Sequence, residues 1–197
     1  MNALTVTVTI ALLAMVVATV LGTLAAIGIH AMKKRPQSFM MTLTNLPNTM
    51  PDIVTGISLM LLFLFTKVDR GYVTMLLAHI TFDTPYVILS VLPKLKQMNE
   101  AALDLGATPM YALFHVIIPE CMPGIITGAM LAFTLSLDDF TISYFTTSPL
   151  VQNLSTLIYS AARRGIEPTL NALSALMFVA LLVLLLIVNR RTASNND

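Results

Sequence analysis

The chain has 197 residues, 56% of them hydrophobic and 11% charged, against roughly 25% charged in an average soluble domain, and its mean hydropathy is +0.82. That composition excludes a soluble globular domain, and also a disordered chain, which needs high charge and few apolar residues. A net charge of +1, from 11 Lys and Arg against 10 Asp and Glu, is too sparse for nucleic-acid binding, and the one cysteine, Cys121, excludes a disulfide framework or a cysteine-rich metal site.

A helix needs about 20 mostly apolar residues to cross the hydrocarbon core of a bilayer. Residues 1–32 contain no Asp, Glu, Lys or Arg. Their apolar body, 4–29, outruns the signal-peptide core of about 7 to 15 residues and has no basic residues ahead of it, so it reads as a spanning helix. A second span is predicted over 43–65, with one charge, Asp52, and with Pro47 and Pro51 near its start. The third, 72–92, carries the single acid Asp83, and the fourth, 123–145, holds Asp138 and Asp139. The fifth, 170–188, is charge-free and ends in fourteen consecutive apolar residues, 175–188. The expectation is an all-α, polytopic membrane protein, with one transmembrane domain over 1–197.

Alternate connections hold Lys33, Lys34 and Arg35, then Lys94 and Lys96, then Arg190 and Arg191, seven basic residues against the four of the other set, Lys67, Arg70, Arg163 and Arg164. The positive-inside rule makes the first set cytoplasmic. Met1 then lies outside, and an odd span count with an external start predicts an N-terminally truncated form. Between spans three and four, residues 93–119 mix Lys94, Lys96, Glu100, Asp104 and His115 with Ala, Leu and Ile at surface-helix spacing, and Pro109 divides them into two short helices. A cytoplasmic helix-turn-helix of this size in a loop is expected to dock a partner.

Within that loop the chain reads Glu100-Ala101-Ala102, three residues, Gly106, nine residues, then Val116-Ile117-Ile118-Pro119. This resembles the EAA loop of ABC-importer inner-membrane permeases, and the longer string EAALDLGAT at 100–108 strengthens the likeness. Val116 and Ile118 replace the usual Ile and Leu conservatively. Asn2-Ala3-Leu4 and Gly22-Thr23-Leu24-Ala25 look like the second helix of these permeases, and Leu46-Pro47 with the run from Pro51-Asp52 to Ser58-Leu59 looks like the third. Ser136-Leu137-Asp138-Asp139-Phe140 looks like the fifth and is most similar to spermidine/putrescine permeases, in particular their second permease subunit. Family members normally carry one more helix at the N-terminus.

The resemblance implies the type I ABC-importer permease fold in the cytoplasmic (inner) membrane of a bacterium. It further implies a pathway built with a second homologous permease subunit, two ABC ATPase subunits on the cytoplasmic loops, and an extracytoplasmic polyamine-binding protein. On this reading 94–119 is the ATPase dock, with Glu100, Ala101, Ala102, Asp104, Gly106 and Pro119 its contact residues. The chain has no Gly-rich sequence ending in Gly-Lys-Ser/Thr. It is therefore expected to bind no cofactor and to be no enzyme, with ATP and Mg belonging to the partner ATPase.

An ionised Asp at the bilayer centre costs roughly 2.5 to 3.5 kcal/mol on the insertion scale, so such residues usually face a partner or a wet cavity. Asp52, Asp83, Asp138 and Asp139 lie in predicted spans, and no Lys or Arg does. They suit a cationic cargo crossing in steps, with Phe82, Tyr86, Phe140 and Tyr144 offering ring faces to its ammonium groups. Each acid also has a structural reading. Asp52, after Pro51, suits a helix start; Asp83 lies one turn after His79 and is open to being held by it; and of the adjacent pair Asp138 and Asp139, about 100° apart on a helix, at most one faces the path. His30, His79 and His115 form no metal-ligand spacing, Cys121 reads as a packing residue, and the 13 Met are lipid-facing or packing residues.

Two alternatives stand beside a polyamine permease: an ABC permease for a different small solute, and a stand-alone ion or proton channel, for which an ATPase dock would have no purpose. An inactive remnant is a third possibility.

Overall fold

A computed structural model describes residues 2–98 and 113–164, together with 172, 175–183 and 185–186 near the C-terminus. The helices are α1 (Ala3–Ala31), α2 (Lys34–Thr49), α3 (Asp52–Phe65), α4 (Tyr72–Met98), α5 (Ile118–Asp138), α6 (Thr141–Thr146) and α7 (Leu154–Arg164), with a π-turn at Leu113–Ile117 leading into α5. Strand-like pairing among the described residues is limited to an isolated bridge between Ser148 and Val151. Among the described residues three helices, α1, α4 and α5, are long and apolar enough to span a membrane, or four spans if the bent pair α2 and α3 is one.

The stretch expected as one span at 43–65 is instead two helices, α2 and α3, meeting at 105°. Pro51 explains the break. It has no N–H to continue the ladder and it forces the preceding residue out of the helical region, and Met50 and Pro51 both take extended ψ values, 143° and 135°. The stretch expected at 123–145 is also divided, because α5 ends at Asp138 and Asp139 adopts ψ 126° before α6 begins. Residues 99–112 of the loop, including the break expected at Pro109, and most of the expected span at 170–188 lie outside the described residues.

Helices α1, α4 and α5 pack into the central bundle. Helix α1 buries Val6, Ile10, Ala14, Ala18, Gly22 and Ala26, a file of mostly small residues four apart, and exposes Leu12, Val16, Val20 and Leu24 on its other side. Since lipid tails are as apolar as leucine, hydrophobicity alone does not join such helices, and small residues that permit close backbone approach do. Val87 of α4 is fully buried where these approaches meet. A Cβ on Gly22 would stand 2.6 Å from its Cβ, and one on Gly128 of α5 would stand 3.1 Å from its Cα.

Gly22→Ala is therefore expected to destabilise the subunit by about 1 to 3 kcal/mol through overpacking. Thermal unfolding in detergent checks this. An unchanged melting temperature in the variant would refute the close packing.

At one end of the bundle the helices are joined by hydroxyls. Thr7 Oγ1 accepts from the Leu154 amide at 2.7 Å, the Tyr72 hydroxyl donates to Thr9 at 3.0 Å, and Thr74 Oγ1 donates to the Thr146 carbonyl at 2.9 Å. The last of these bonds ties the short helix α6 to α4, and α6 also packs on α3, where Phe63 packs with Ala78, Phe82 and Ile142. The break between α5 and α6 is thereby placed beside α4.

Candidate functional site

The four acids of the predicted spans occupy four different environments. Asp52 is exposed in the first turn of α3, where a negative charge is favoured by the amides of the helix start. Asp83 is in the middle of α4 with 0% exposure, and neither of its carboxylate oxygens has a hydrogen-bond partner among the described residues. Asp138, the last residue of α5, is exposed. The Asp139 side chain is 8% exposed and accepts from the amides of Ile142, at 3.2 Å, and Ser143, at 2.7 Å.

Asp139 therefore caps α6, giving the free amides of a helix start an anionic acceptor. The adjacent carboxylates divide at the break itself: Asp139, in extended conformation, is engaged in the structure, and Asp138, at the end of α5, is exposed. The Asn153 side chain reinforces the engaged side, donating to the Asp139 carbonyl at 3.1 Å and to Ser143 Oγ at 2.8 Å.

His79 does not hold Asp83, although one helical turn separates them. Its Nδ1 lies 2.5 Å from Ser136 Oγ of α5, its Nε2 lies 2.9 Å from Ser143 Oγ of α6, and Nε2 is 3.6 Å from the Asp139 carboxylate. Helical side chains lean toward the N-terminus of their own helix. The imidazole and the carboxylate thus keep their separation, and the hydroxyls of the neighbouring helices take both ring nitrogens. Asp83 remains a buried carboxylate without a partner, a state that costs several kcal/mol when ionised.

The Phe82 and Tyr86 rings meet edge to face at 5.3 Å, with Phe82 adjacent to Asp83 in the chain.

Phe140 and Tyr144, singled out in the sequence, join a ring that was not. Tyr159 of α7 stands 4.7 Å from Phe140 and 5.9 Å from Tyr144 between centroids, and Phe140 is 5.4 Å from Tyr144. Tyr144 and Tyr159 are 46% and 39% exposed, and the Arg163 guanidinium lies 5.7 Å over the Tyr159 ring. A cation already rests on this aromatic cluster. Tyr159 was legible only as the ring four residues before Arg163 on one helix face.

Of the docking-loop residues, Pro119 is described: it is exposed, in the first turn of α5, where a missing N–H costs nothing. Glu100, Ala101, Ala102, Asp104 and Gly106 lie outside the described residues. No three His, Cys, Asp or Glu side chains among the described residues are grouped to hold a metal ion.

Residues 18–192 match the family described as binding-protein-dependent transport system inner membrane component. The chain is 40% identical over 191 residues to the putrescine transport system permease protein PotI of Escherichia coli, an alignment covering 91% of this chain and 68% of that protein. It is 36% identical over 182 residues to the spermidine/putrescine transport system permease protein PotC of Escherichia coli, covering 90% and 69% respectively. The PotC of Haemophilus influenzae is 35% identical over 193 residues, covering 96% and 75%. Among solved structures, a chain of the inward-facing MetNI methionine ABC transporter superposes with a TM-score of 0.77 at 15% identity, covering 96% of this chain and 92% of that one. An amino acid ABC transporter gives 0.72 at 18% identity, covering 98% and 92%. These last two likenesses are of fold.

Proposed function

We propose that the chain, which belongs to the family of binding-protein-dependent transport system inner membrane components, is a permease subunit of an ATP-driven importer that carries polyamines across the bacterial inner membrane. The observation that carries this reading is the 35 to 40% identity, over nine-tenths or more of the chain, to putrescine and spermidine/putrescine permeases. The physical chemistry of the acids agrees with it. A polyamine presents ammonium groups separated by methylenes, so one end can be held while the next is released, and carboxylates in succession with interleaved rings suit that movement. Asp138 and the cluster of Phe140, Tyr144 and Tyr159 would meet the cargo at the outer break, with Asp83, Tyr86 and Asp52 further along. Each ring–ammonium contact is worth about 0.5 to 2 kcal/mol.

The remaining machine lies in other chains on this reading. Two ATPase subunits would dock at 94–119 and hold the ATP and Mg, a second homologous permease would complete the pathway, and an extracytoplasmic binding protein would deliver the polyamine. Proteoliposomes containing the full complex and its binding protein provide the test. ATP-dependent uptake of labelled putrescine or spermidine is expected, with a monoamine of matched length competing at least roughly tenfold less well because it can occupy one carboxylate only. ATP-driven uptake of an uncharged or anionic solute, with neither polyamine carried, would overturn the assignment.

A further inference from the structure

We propose that His79 is the positioning residue of the outer helix break, holding Asp139 inward so that Asp138 is presented to the cationic cargo. The imidazole lies on α4, outside the broken segment, and touches it on both sides. Nδ1 meets Ser136, two residues before Asp138, and Nε2 meets Ser143, four residues after Asp139. The ring is 1% exposed, so no water competes for either nitrogen.

Donors and acceptors balance around a neutral ring, which offers one N–H and one lone pair. The carboxylate of Asp139, 3.6 Å from Nε2, favours the N–H at that nitrogen. Nε2 then donates to Ser143 Oγ, which also accepts from Asn153 Nδ2, and the Ser136 hydroxyl donates to Nδ1. Both serines are buried, at 1% and 0% exposure. His79 thus bonds to α5 through Ser136 and to α6 through Ser143, and lies beside the Asp139 cap, while Asp138 is exposed. Asp139 is extended, with ψ 126°, so no helical hydrogen-bond ladder fixes the break, and a break held from one side only would let the end of α5 turn and withdraw the Asp138 carboxylate.

The proposal rests on the reading of Asp138 as a cargo contact, and the experiment separates the two. Spermidine uptake by the assembled transporter is measured as KM and Vmax, alongside recovery of the intact complex in detergent. His79→Phe keeps a ring and removes both nitrogens. It is expected to raise KM about tenfold with Vmax within about twofold, the pattern of lost binding rather than lost turnover. His79→Gln restores a donor and an acceptor and should recover most of that loss. Asp138→Asn added to His79→Phe should raise KM by less than about twofold more, because the carboxylate is already misplaced.

A wild-type KM in His79→Phe, or a full additional penalty from Asp138→Asn in that background, would overturn the positioning role. Should His79→Phe not assemble, Ser136→Ala removes the α5 limb with minimal change of volume, and a wild-type KM in that variant overturns the proposal equally. If Asp138→Asn alone has a wild-type KM, the cargo reading of Asp138 falls and the positioning role with it. If Asp138→Asn is impaired and His79→Phe is normal, only the positioning role falls.

Discussion

Asp138→Asn is expected to lower polyamine uptake about ten- to a hundredfold, the loss of one charge-assisted contact, while leaving the melting temperature of the complex unchanged. Asp139→Asn should do the reverse in kind. Its carboxylate takes the Ile142 and Ser143 amides, and an amide side chain can offer them one oxygen but turns an N–H donor toward the other. Losing a cap of this sort destabilises by about 0.5 to 2 kcal/mol. Uptake in Asp139→Asn should thus fall mainly through fewer assembled transporters, with uptake per assembled complex less affected than in Asp138→Asn. Labelled spermidine uptake normalised to complex recovered, with thermal unfolding of each variant, distinguishes them. A stable but inactive Asp139→Asn beside an active Asp138→Asn would invert the assignment of the pair.

The division between these neighbours shows where sequence reasoning reached and where it stopped. That four acids lie in apolar stretches without a basic partner could be read directly, because composition and hydropathy are local properties. That Asp139 begins a new helix could not, since the apolar run continues to Phe145 and hydropathy does not register a change of backbone direction. The cue was present in the acid followed by Thr141 and Ser143, a helix-start pattern masked by the expectation of a continuous span. At Pro47 and Pro51 the breaking residues were noticed, but the 105° bend between α2 and α3 depends on the elements packed against both arms. The partners of His79 were wholly non-local. Ser136 and Ser143 lie 57 and 64 residues away, whereas helical periodicity suggests only neighbours three or four positions distant, and so it pointed to Asp83. The family likeness is the opposite case, legible because the EAALDLGAT string at 100–108 is contiguous in the sequence.

Gly106→Arg is expected to abolish uptake while leaving the chain inserted in the membrane. The four-residue spacing of Ala102 and Gly106 predicts one shared helix face, with Glu100 and Ala101 ahead of it in the sequence. A face of small residues admits a partner backbone at close range, and an arginine there must either hold the partner away or enter the interface unpaired. An unpaired buried charge costs roughly 3 to 5 kcal/mol, a loss of about a hundred- to several-thousandfold in ATPase binding. The effect should extend beyond affinity because the loop is joined directly to a rigid helix. The π-turn at Leu113–Ile117 runs without a gap into α5, whose 21 residues end at Asp138. At 1.5 Å per residue α5 is about 30 Å long, so on the proposed reading a displacement of the loop by the ATPase would be carried along α5 to the break where Asp138 and Asp139 part. Glu100→Ala, which removes a charge without blocking the face, should instead leave ATPase bound but weaken the coupling of ATP hydrolysis to uptake. Co-purification of the ATPase, ATP hydrolysis and uptake measured on the same complexes test both variants, and wild-type uptake in Gly106→Arg would remove the loop from the docking role.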